Sequence, residues 1–252
     1  MTPTPEILPG AEPWSSAGGP SAALVLHGFT GNPHSMRGVA QAMADAGFTV
    51  ELPLLPGHGT TVEDMMETTF DDWSAAARSA YQELAARSDQ VVVVGLSMGG
   101  ALAAWLAIHE QDIAGIVCIN ASVSVPEPLR AMAQELLDAG ELVAPGIGSD
   151  IADPDATELA YPETPLAPLL SLMAAADEFG GQLDRVTCPT LVITSSNDHV
   201  VPPENSDQLA AAVSGPVERV TLERSYHVAT LDYDKDEVIE RTVDFARKVT
   251  SG

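Results

Sequence analysis

The sequence predicts an α/β protein whose mostly parallel central sheet carries helices on both faces. Short runs rich in β-branched residues alternate with helix-like stretches along most of the 252 residues, which is typical of parallel strands joined by crossover helices. One run, Gln90 to Gly95, holds four consecutive valines, as expected of a strand that is buried on both faces. A chain of this length can bury one sizeable core, so we expect a single domain over residues 1–252.

The predicted elements follow one another in a regular order. Strands are predicted at Ser21 to His27, Phe48 to Pro53, Gln90 to Gly95, Ile113 to Ala121, Thr190 to Ser196 and Val217 to Glu223. Helices are predicted at about His34 to Ala46, Phe70 to Arg87, Met98 to Glu110 and Lys235 to Thr250. The chain ahead of Ser21 is rich in proline and glycine, so any antiparallel hairpin there is expected to be short.

One long insertion interrupts the alternation between the fourth and fifth of these strands. We expect a small helical cap at approximately residues 123–184, with helices at Glu127 to Asp138 and Leu166 to Phe179 and no strand. Both helices place leucine and methionine side chains on one face. So long an insertion in a compact sheet is usually a lid or a binding element.

The composition excludes several classes of partner. A formal net charge of −25 opposes binding to nucleic acid and to anionic membrane surfaces, and it favours neutral over anionic substrates. No run of about 18 uncharged apolar residues occurs, so we expect no stable membrane insertion. The N-terminal segment MTPTPEILPG has neither the basic nor the apolar region of a secretion signal, which predicts a cytoplasmic location. The two cysteines, Cys118 and Cys188, are expected to be reduced.

The strongest chemical signal is the G-x-S-x-G motif at Gly95-Leu96-Ser97-Met98-Gly99, between the valine strand and an alanine-rich helix. A nucleophile has to project from a tight strand-to-helix turn, and such a turn has room only for small residues on either side. The hydroxyl then lies at a helix N-terminus, whose amides and dipole favour developing negative charge. Ser97 is therefore the predicted nucleophile; the alternative is a serine that only caps the helix.

A second motif, His27-Gly28-Phe29-Thr30-Gly31, ends the first of these strands. Ester cleavage needs two hydrogen-bond donors aimed at the oxyanion, and we expect them to be the backbone amides of Met98 and Phe29. The flanking glycines allow the backbone to turn an amide inward, although the motif could also be an ordinary turn. His27 itself is expected to be a hydrogen-bonded structural residue.

An acid and a base follow in the order that a serine hydrolase requires. Asp198 comes after the strand Thr190 to Ser196, and His227 comes after the last strand. The order Ser, Asp, His along the chain predicts that His227 is the general base and that Asp198 orients it. Asp232 is a rival acid, but its position suggests that it starts or caps the final helix, and His199 is expected to be a surface or structural residue.

No cofactor is predicted. The six histidines show no metal-ligand spacing, and no glycine-rich phosphate motif occurs. His58, in Pro56-Gly57-His58-Gly59, is expected in a loop at the same edge of the sheet as the nucleophile.

Taken together, these motifs resemble the small bacterial carboxylesterases and, more specifically, the bacterial monoacylglycerol lipases of the α/β-hydrolase superfamily. The likeness extends from about Leu8 to Val249, and its more specific parts are HGFTGNPHSMR (27–37), TTFDDW (68–73), IGSDIADPDATELAYPETP (147–165) and SYHVATLDYD (225–234). The resemblance implies an α/β-hydrolase fold and a lipid ester substrate. The implied reaction is hydrolysis of monoacylglycerols to glycerol and fatty acid through an acyl-enzyme on Ser97.

The same resemblance implies roles for two cap residues, Ile147 as an apolar lining residue and Glu158 as a carboxylate that accepts hydrogen bonds from glycerol hydroxyls. A pocket that binds two hydroxyls admits a monoester and crowds out a second acyl chain. Glu158 could also be a solvated surface residue, since the chain has 36 acidic residues. The main alternative function is a general carboxylesterase for short- and medium-chain monoesters. A cofactor-free haloperoxidase shares the triad, and a non-catalytic binding scaffold is the alternative outside enzymes.

Overall fold

A sheet of seven strands forms the centre of the protein. The computed structural model describes residues 5–146 and 149–251. Strands in these residues are β1 (Trp14–Ser16), β2 (Ser21–Leu26), β3 (Thr49–Leu52), β4 (Gln90–Leu96), β5 (Ile113–Ile119), β6 (Val143–Pro145), β7 (Glu163–Pro165), β8 (Thr190–Ser195) and β9 (Val217–Leu222). The central sheet has the order β1-β3-β2-β4-β5-β8-β9, and every neighbouring pair is parallel except β1 and β3. The predicted mostly parallel sheet is confirmed.

Helices connect the parallel strands. Those in the described residues are α1 (Arg37–Asp45), α2 (Val62–Met66), α3 (Phe70–Ala85), α4 (Met98–His109), α5 (Glu127–Asp138), α6 (Leu166–Gly180), α7 (Glu204–Ala212) and α8 (Lys235–Thr250). A 3₁₀ turn precedes α1 and a second follows α6. None of the helices in residues 5–146 and 149–251 is long and apolar enough to cross a bilayer.

A layer of helices covers each face of the sheet. Alternate side chains of each strand point to opposite faces, and apolar side chains on both faces pack against helices. Val93 of β4 belongs to a core that includes Trp73 of α3. Its neighbour Val92 belongs to a second core, formed with Met43 of α1 and Phe245 of α8. The valine strand is therefore buried on both faces, as the sequence predicts.

The segment between β5 and β8 holds α5, β6, β7 and α6, and we propose that residues 123–184 form a cap within a single domain. The expectation that this segment has no strand is wrong, since β6 and β7 pair antiparallel with Val143 opposite Pro165. Each of these strands has only three residues and ends in proline, so neither produces a recognisable alternation of apolar and polar residues.

Three further elements have weak sequence signals. The edge strand β1 has three residues and pairs with β3. Helix α2 has five residues and begins where the Thr61 side chain accepts a hydrogen bond from the Asp64 amide. Helix α7 begins after Pro203 and buries only three of its residues, so its apolar face is narrow.

Candidate active site

The predicted site residues meet at one edge of the sheet. Phe29 follows β2, Ser97 follows β4, Asp198 follows β8 and His227 follows β9. These strands are parallel, so their carboxyl ends lie at the same edge, where open α/β sheets place their ligand sites.

Ser97 occupies a strained turn between β4 and α4. Its φ of 57° and ψ of −117° lie outside the regions that side-chain-bearing residues favour. A Cβ on Gly95 would lie 2.0 Å from the backbone oxygen of Gly99, and a Cβ on Gly99 would lie 2.2 Å from the backbone oxygen of Leu26. Both flanking positions therefore accept only glycine, which explains the G-x-S-x-G pattern.

The predicted base, His227, and the predicted acid, Asp198, are hydrogen-bonded to each other. His227 Nδ1 lies 2.7 Å from Asp198 Oδ2, and the two side chains are 9% and 1% exposed. The other carboxylate oxygen, Oδ1, accepts the amides of Val200 and Val201, each at 2.8 Å. Because Asp198 accepts the proton on Nδ1, the Nε2 atom of His227 is left without a proton, as the base predicted to act on Ser97 requires.

Ser97 and His227 line one cavity of about 420 Å³. Its walls are formed by Gly28, Phe29, Thr30, Leu96, Ser97, Glu158, Val200, His227 and Val228. Among the hydrogen bonds of the described residues, none joins the Ser97 hydroxyl to His227. Catalytic hydrogen bonds are often long in unliganded enzymes and shorten when substrate binds.

Two backbone amides beside Ser97 are free to bind an oxyanion. Within residues 5–146 and 149–251, neither the Phe29 amide nor the Met98 amide donates to a protein acceptor. Met98 is fully buried and is the first residue of α4, where amides have no partner in the helix. The Thr30 hydroxyl donates to the Phe29 carbonyl at 2.6 Å, and a Cβ on Gly28 would lie 3.4 Å from the Ser97 Cβ. The loop bearing Phe29 thus lies directly against the serine.

Two buried histidines support this loop. His27 Nε2 accepts the Leu55 amide at 3.1 Å, so the ring proton is on Nδ1, which donates to the Gly28 carbonyl at 3.0 Å. His58 Nδ1 lies 2.9 Å from the Pro56 carbonyl. Burial lowers the pKa of His27 to about 3 and that of His58 to about 4. Both rings are therefore neutral near pH 7, and His27 has the structural contacts expected of it.

Glu158 reaches the cavity from the cap. A Cβ on Gly31 would lie 2.9 Å from Glu158 Oε1, so the glycine leaves space for the carboxyl group. Burial raises the pKa of Glu158 to about 7, and the charge of His227 acts in the opposite direction. Glu158 is thus a partly buried residue of the cavity wall and not a solvated surface residue. Ile147, the other predicted cap residue, lies outside the described residues.

A second, apolar cavity of about 550 Å³ also has Ser97 in its wall. Its walls are Phe29, Ser97, Ser122, Ser124, Val125, Pro126, Leu129, Leu169, Leu172, Met173, Val200, Val201 and Pro202. Leu129 comes from α5 of the cap, and Leu169, Leu172 and Met173 come from α6. This cavity has the composition that a fatty acyl chain requires.

The prediction that Asp232 starts or caps the last helix is wrong, because the residue before α8 is Asp234. The Asp232 side chain instead accepts four backbone amides, which leaves it no part in the contact between His227 and Asp198. Sequence reasoning also missed Asn120, which has a φ of 45° and bonds the Ser195 amide and the His227 carbonyl, both at 2.8 Å. Its place just after β5, at the edge where the site forms, was the available signal.

Within the part of the chain that the structure describes, no group of three or more histidine, cysteine, aspartate or glutamate residues could hold a metal ion. The site offers a hydroxyl, an imidazole, a carboxylate and two free amides, and Ser97 lines both an apolar cavity and a cavity that holds the Glu158 carboxyl group.

Comparison with known proteins finds relatives that match nearly the whole chain. The thermostable monoacylglycerol lipase of Bacillus sp. (strain H-257) is 49% identical over 245 residues, which cover 96% of each chain. The carboxylesterase of Bacillus subtilis (strain 168) is 26% identical over 94% of this chain and 97% of its own. A solved structure described as "LipS and LipT, two metagenome-derived lipolytic enzymes" superimposes with a TM-score of 0.93 at 44% identity, covering 96% of this chain and 100% of the other.

The strand order, the glycine-flanked serine turn and these relatives all point to one fold family. Residues 23–241 match the alpha/beta hydrolase family. The chain belongs to the alpha/beta hydrolase family.

Proposed function

We propose that the protein is a serine hydrolase that cleaves monoacylglycerols to glycerol and free fatty acid. The observation that carries the proposal is the position of Ser97, which lines both the apolar cavity and the cavity that holds Glu158 and His227. An ester bond placed at Ser97 would thus have an apolar space for its acyl chain on one side and a carboxyl group for its alcohol on the other.

In the acylation step, the Ser97 hydroxyl attacks the ester carbonyl carbon while His227 Nε2 takes the hydroxyl proton. The amides of Phe29 and Met98 bind the oxyanion of the tetrahedral intermediate. Asp198 remains a carboxylate and stabilises the imidazolium through the 2.7 Å contact with Nδ1. The imidazolium then gives its proton to the glycerol oxygen, and glycerol leaves.

In the deacylation step, a water molecule attacks the acyl-enzyme and gives its proton to His227. The same two amides bind the second oxyanion. When this intermediate collapses, the proton returns to the Ser97 oxygen and the fatty acid leaves. The base, the acid and the serine are thereby restored for the next cycle.

Glu158 is proposed to set the preference for glycerol esters. Its carboxyl group can accept hydrogen bonds from the two free hydroxyls of a monoacylglycerol, whereas a second acyl chain would place apolar carbons against it. The 49% identity to a thermostable monoacylglycerol lipase supports the same substrate class. Ile147 is proposed, from the family resemblance alone, to line the acyl cavity.

The second candidate is a general carboxylesterase for short- and medium-chain monoesters, which the likeness to the Bacillus subtilis carboxylesterase favours. Rates of hydrolysis of mono-, di- and triacylglycerols with one acyl chain length separate the two. The proposed function predicts the highest kcat/KM for the monoester. Equal or better rates on the di- or triester would refute the preference for monoacylglycerols while leaving a serine esterase.

We also propose that the enzyme works in the cytoplasm. Cys118 and Cys188 are both free in the structure, and a reducing compartment keeps thiols in that state. Activity measured in fractionated cells tests this, since recovery of the enzyme with the membrane or the medium would contradict it.

A further inference from the structure

Two acidic residues other than Asp198, namely Asp150 and Asp232, connect the cap to the loop that carries His227. Asp232 lies in that loop and is fully buried, and its carboxylate accepts hydrogen bonds from four backbone amides. Its Oδ2 accepts from Ala152 and Tyr226, both at 2.8 Å, and its Oδ1 accepts from Asp153 at 3.0 Å and Tyr233 at 2.7 Å. Each oxygen therefore joins one amide of the cap to one amide of the loop.

Asp150 makes the reciprocal connection from the cap. Its Oδ2 accepts the amides of His227 and His199, both at 3.1 Å, and its Oδ1 lies 2.9 Å from His199 Nδ1. Its backbone carbonyl accepts the Val228 amide at 3.1 Å. Since His199 follows Asp198, one cap residue contacts both the base itself and the neighbour of the acid.

The same stretch of the cap fixes the backbone of Glu158. The Glu158 amide donates to the Ser149 hydroxyl at 2.7 Å, and Ser149 is the neighbour of Asp150. A continuous series of bonds thus runs from the backbone of Glu158 through residues 149 and 150 to the backbone of His227. The side chains of Glu158 and His227 line one cavity, so this series connects the backbones of two residues that border the same space.

We propose that Asp150 and Asp232 are positioning residues, which hold Glu158 and His227 in one geometry by fastening residues 149–153 of the cap to the loop after β9. The inference rests on the proposed function, because it takes the roles of Glu158 and His227 from there. It implies that this side of the cap does not move as a lid, and that selectivity for the glycerol end of the substrate depends on a fixed contact between cap and base.

Asp232→Asn tests the connection with little change of shape. Each Asp232 oxygen accepts two amides, so either orientation of the carboxamide turns an NH₂ group toward one cap amide and one loop amide. Two hydrogen bonds are lost whichever way the side chain is placed. The variant should therefore loosen the cap segment.

Asp234→Asn is the matched control. Asp234 is another buried acid in the same loop, only 4% exposed, and it bonds the amides of Arg224 and Ser225 and the Arg224 side chain. None of these partners is in the cap. This variant should lower thermal stability as Asp232→Asn does, without affecting the cap segment.

Asp150 offers a second, independent pair of variants, which remains informative if Asp232→Asn fails to fold. In Asp150→Asn the carboxamide oxygen can still accept both backbone amides while its NH₂ group donates to His199 Nδ1. Asp150→Ala loses all three contacts. The conservative variant should therefore behave like the unaltered enzyme, and the alanine variant should behave like Asp232→Asn.

Two measurements read out the proposal. The first is the ratio of kcat/KM for a monoacylglycerol to kcat/KM for the p-nitrophenyl ester of the same acid, and the second is amide hydrogen exchange over residues 150–158. In Asp232→Asn and Asp150→Ala we expect the ratio to fall by about tenfold or more and exchange to accelerate by at least about tenfold. In Asp234→Asn and in Asp150→Asn, the kcat/KM ratio and the exchange rate should each stay within about twofold of the values for the unaltered enzyme.

Unchanged exchange in Asp232→Asn and Asp150→Ala, or an equal effect of Asp234→Asn, would overturn the proposal. So would accelerated exchange with an unchanged ratio, which would make the two acids merely structural. If the unaltered enzyme shows no preference for the monoacylglycerol, the proposed function fails instead. Exchange and kcat on the p-nitrophenyl ester then decide whether the connection positions His227.

Discussion

Lowering the pH through 7 should impair cleavage of monoacylglycerols more than cleavage of simple esters. Burial raises the pKa of Glu158 to about 7, so the carboxylate predominates above that pH and the neutral acid below it. The carboxylate can accept hydrogen bonds with both oxygens, whereas the neutral acid is a weaker acceptor. Binding of the glycerol hydroxyls should therefore weaken as the pH falls.

The size of the effect follows from the strength of these bonds. A hydrogen bond to a charged group contributes about 1.5–3 kcal/mol and a neutral one about 0.5–1.5 kcal/mol. Each hydrogen bond that Glu158 makes to glycerol should thus weaken by about 1–1.5 kcal/mol, so kcat/KM should fall by at least about 5- to 12-fold.

The assay compares a monoacylglycerol with the p-nitrophenyl ester of the same acid between about pH 5.5 and about pH 8.5. Both substrates use the same nucleophile and the same base, so any pH dependence that they share cancels in the ratio of the two kcat/KM values. The ratio should rise with pH, with a midpoint near 7. Glu158→Gln should hold the ratio at its low-pH value throughout. A flat ratio in the unaltered enzyme, or a midpoint that persists in Glu158→Gln, would refute the reasoning.

Three further predictions concern the serine, the turn and the buried histidine. Ser97→Ala should lower kcat by about 10⁴- to 10⁶-fold on every ester, as measured by initial rates with titrated enzyme, and retained activity would exclude Ser97 as nucleophile. Gly99→Ala should cost about 3 kcal/mol or more in free energy of unfolding, because its Cβ would lie 2.2 Å from a backbone oxygen. Gly38→Ala in α1, whose Cβ would lie 3.8 Å from its nearest neighbour, should be neutral or stabilising in the same denaturation assay. Burial lowers the pKa of His58 from 6.5 to about 4, so the unfolded chain binds more protons in this interval and the free energy of unfolding falls as the pH falls. The slope of the free energy of unfolding against pH should be smaller in His58→Asn by up to about 1.4 kcal/mol per pH unit in this interval. An unchanged slope would contradict the lowered pKa of His58.

Elements with a strong local pattern were predictable from the sequence. The bounds of α8, Lys235–Thr250, agree with the prediction because its apolar residues recur at helical spacing and acidic residues fill its first turn. The valine strand β4 was equally clear, because a short continuous run of β-branched residues is typical of a strand buried on both faces. The turn at Ser97 followed from the two glycines that its geometry requires.

The features that were missed depend on contacts between distant parts of the chain. Asp232 was assigned to the last helix because α8 begins three residues later, whereas its actual partners include Ala152 and Asp153, 80 and 79 residues away. An acid that binds backbone amides leaves no pattern in the residues it binds, since any residue except proline can supply the amide. The paired strands β6 and β7 were also missed, because each is too short to show an alternation with a period of two.

The central claim is that Ser97 is the activated nucleophile of the site, and covalent labelling tests it most directly. A fluorophosphonate probe should form one adduct, which peptide mass spectrometry should locate on Ser97, and Ser97→Ala should take up no probe. Absence of an adduct on the unaltered enzyme, or an adduct on a different residue, would contradict the claim.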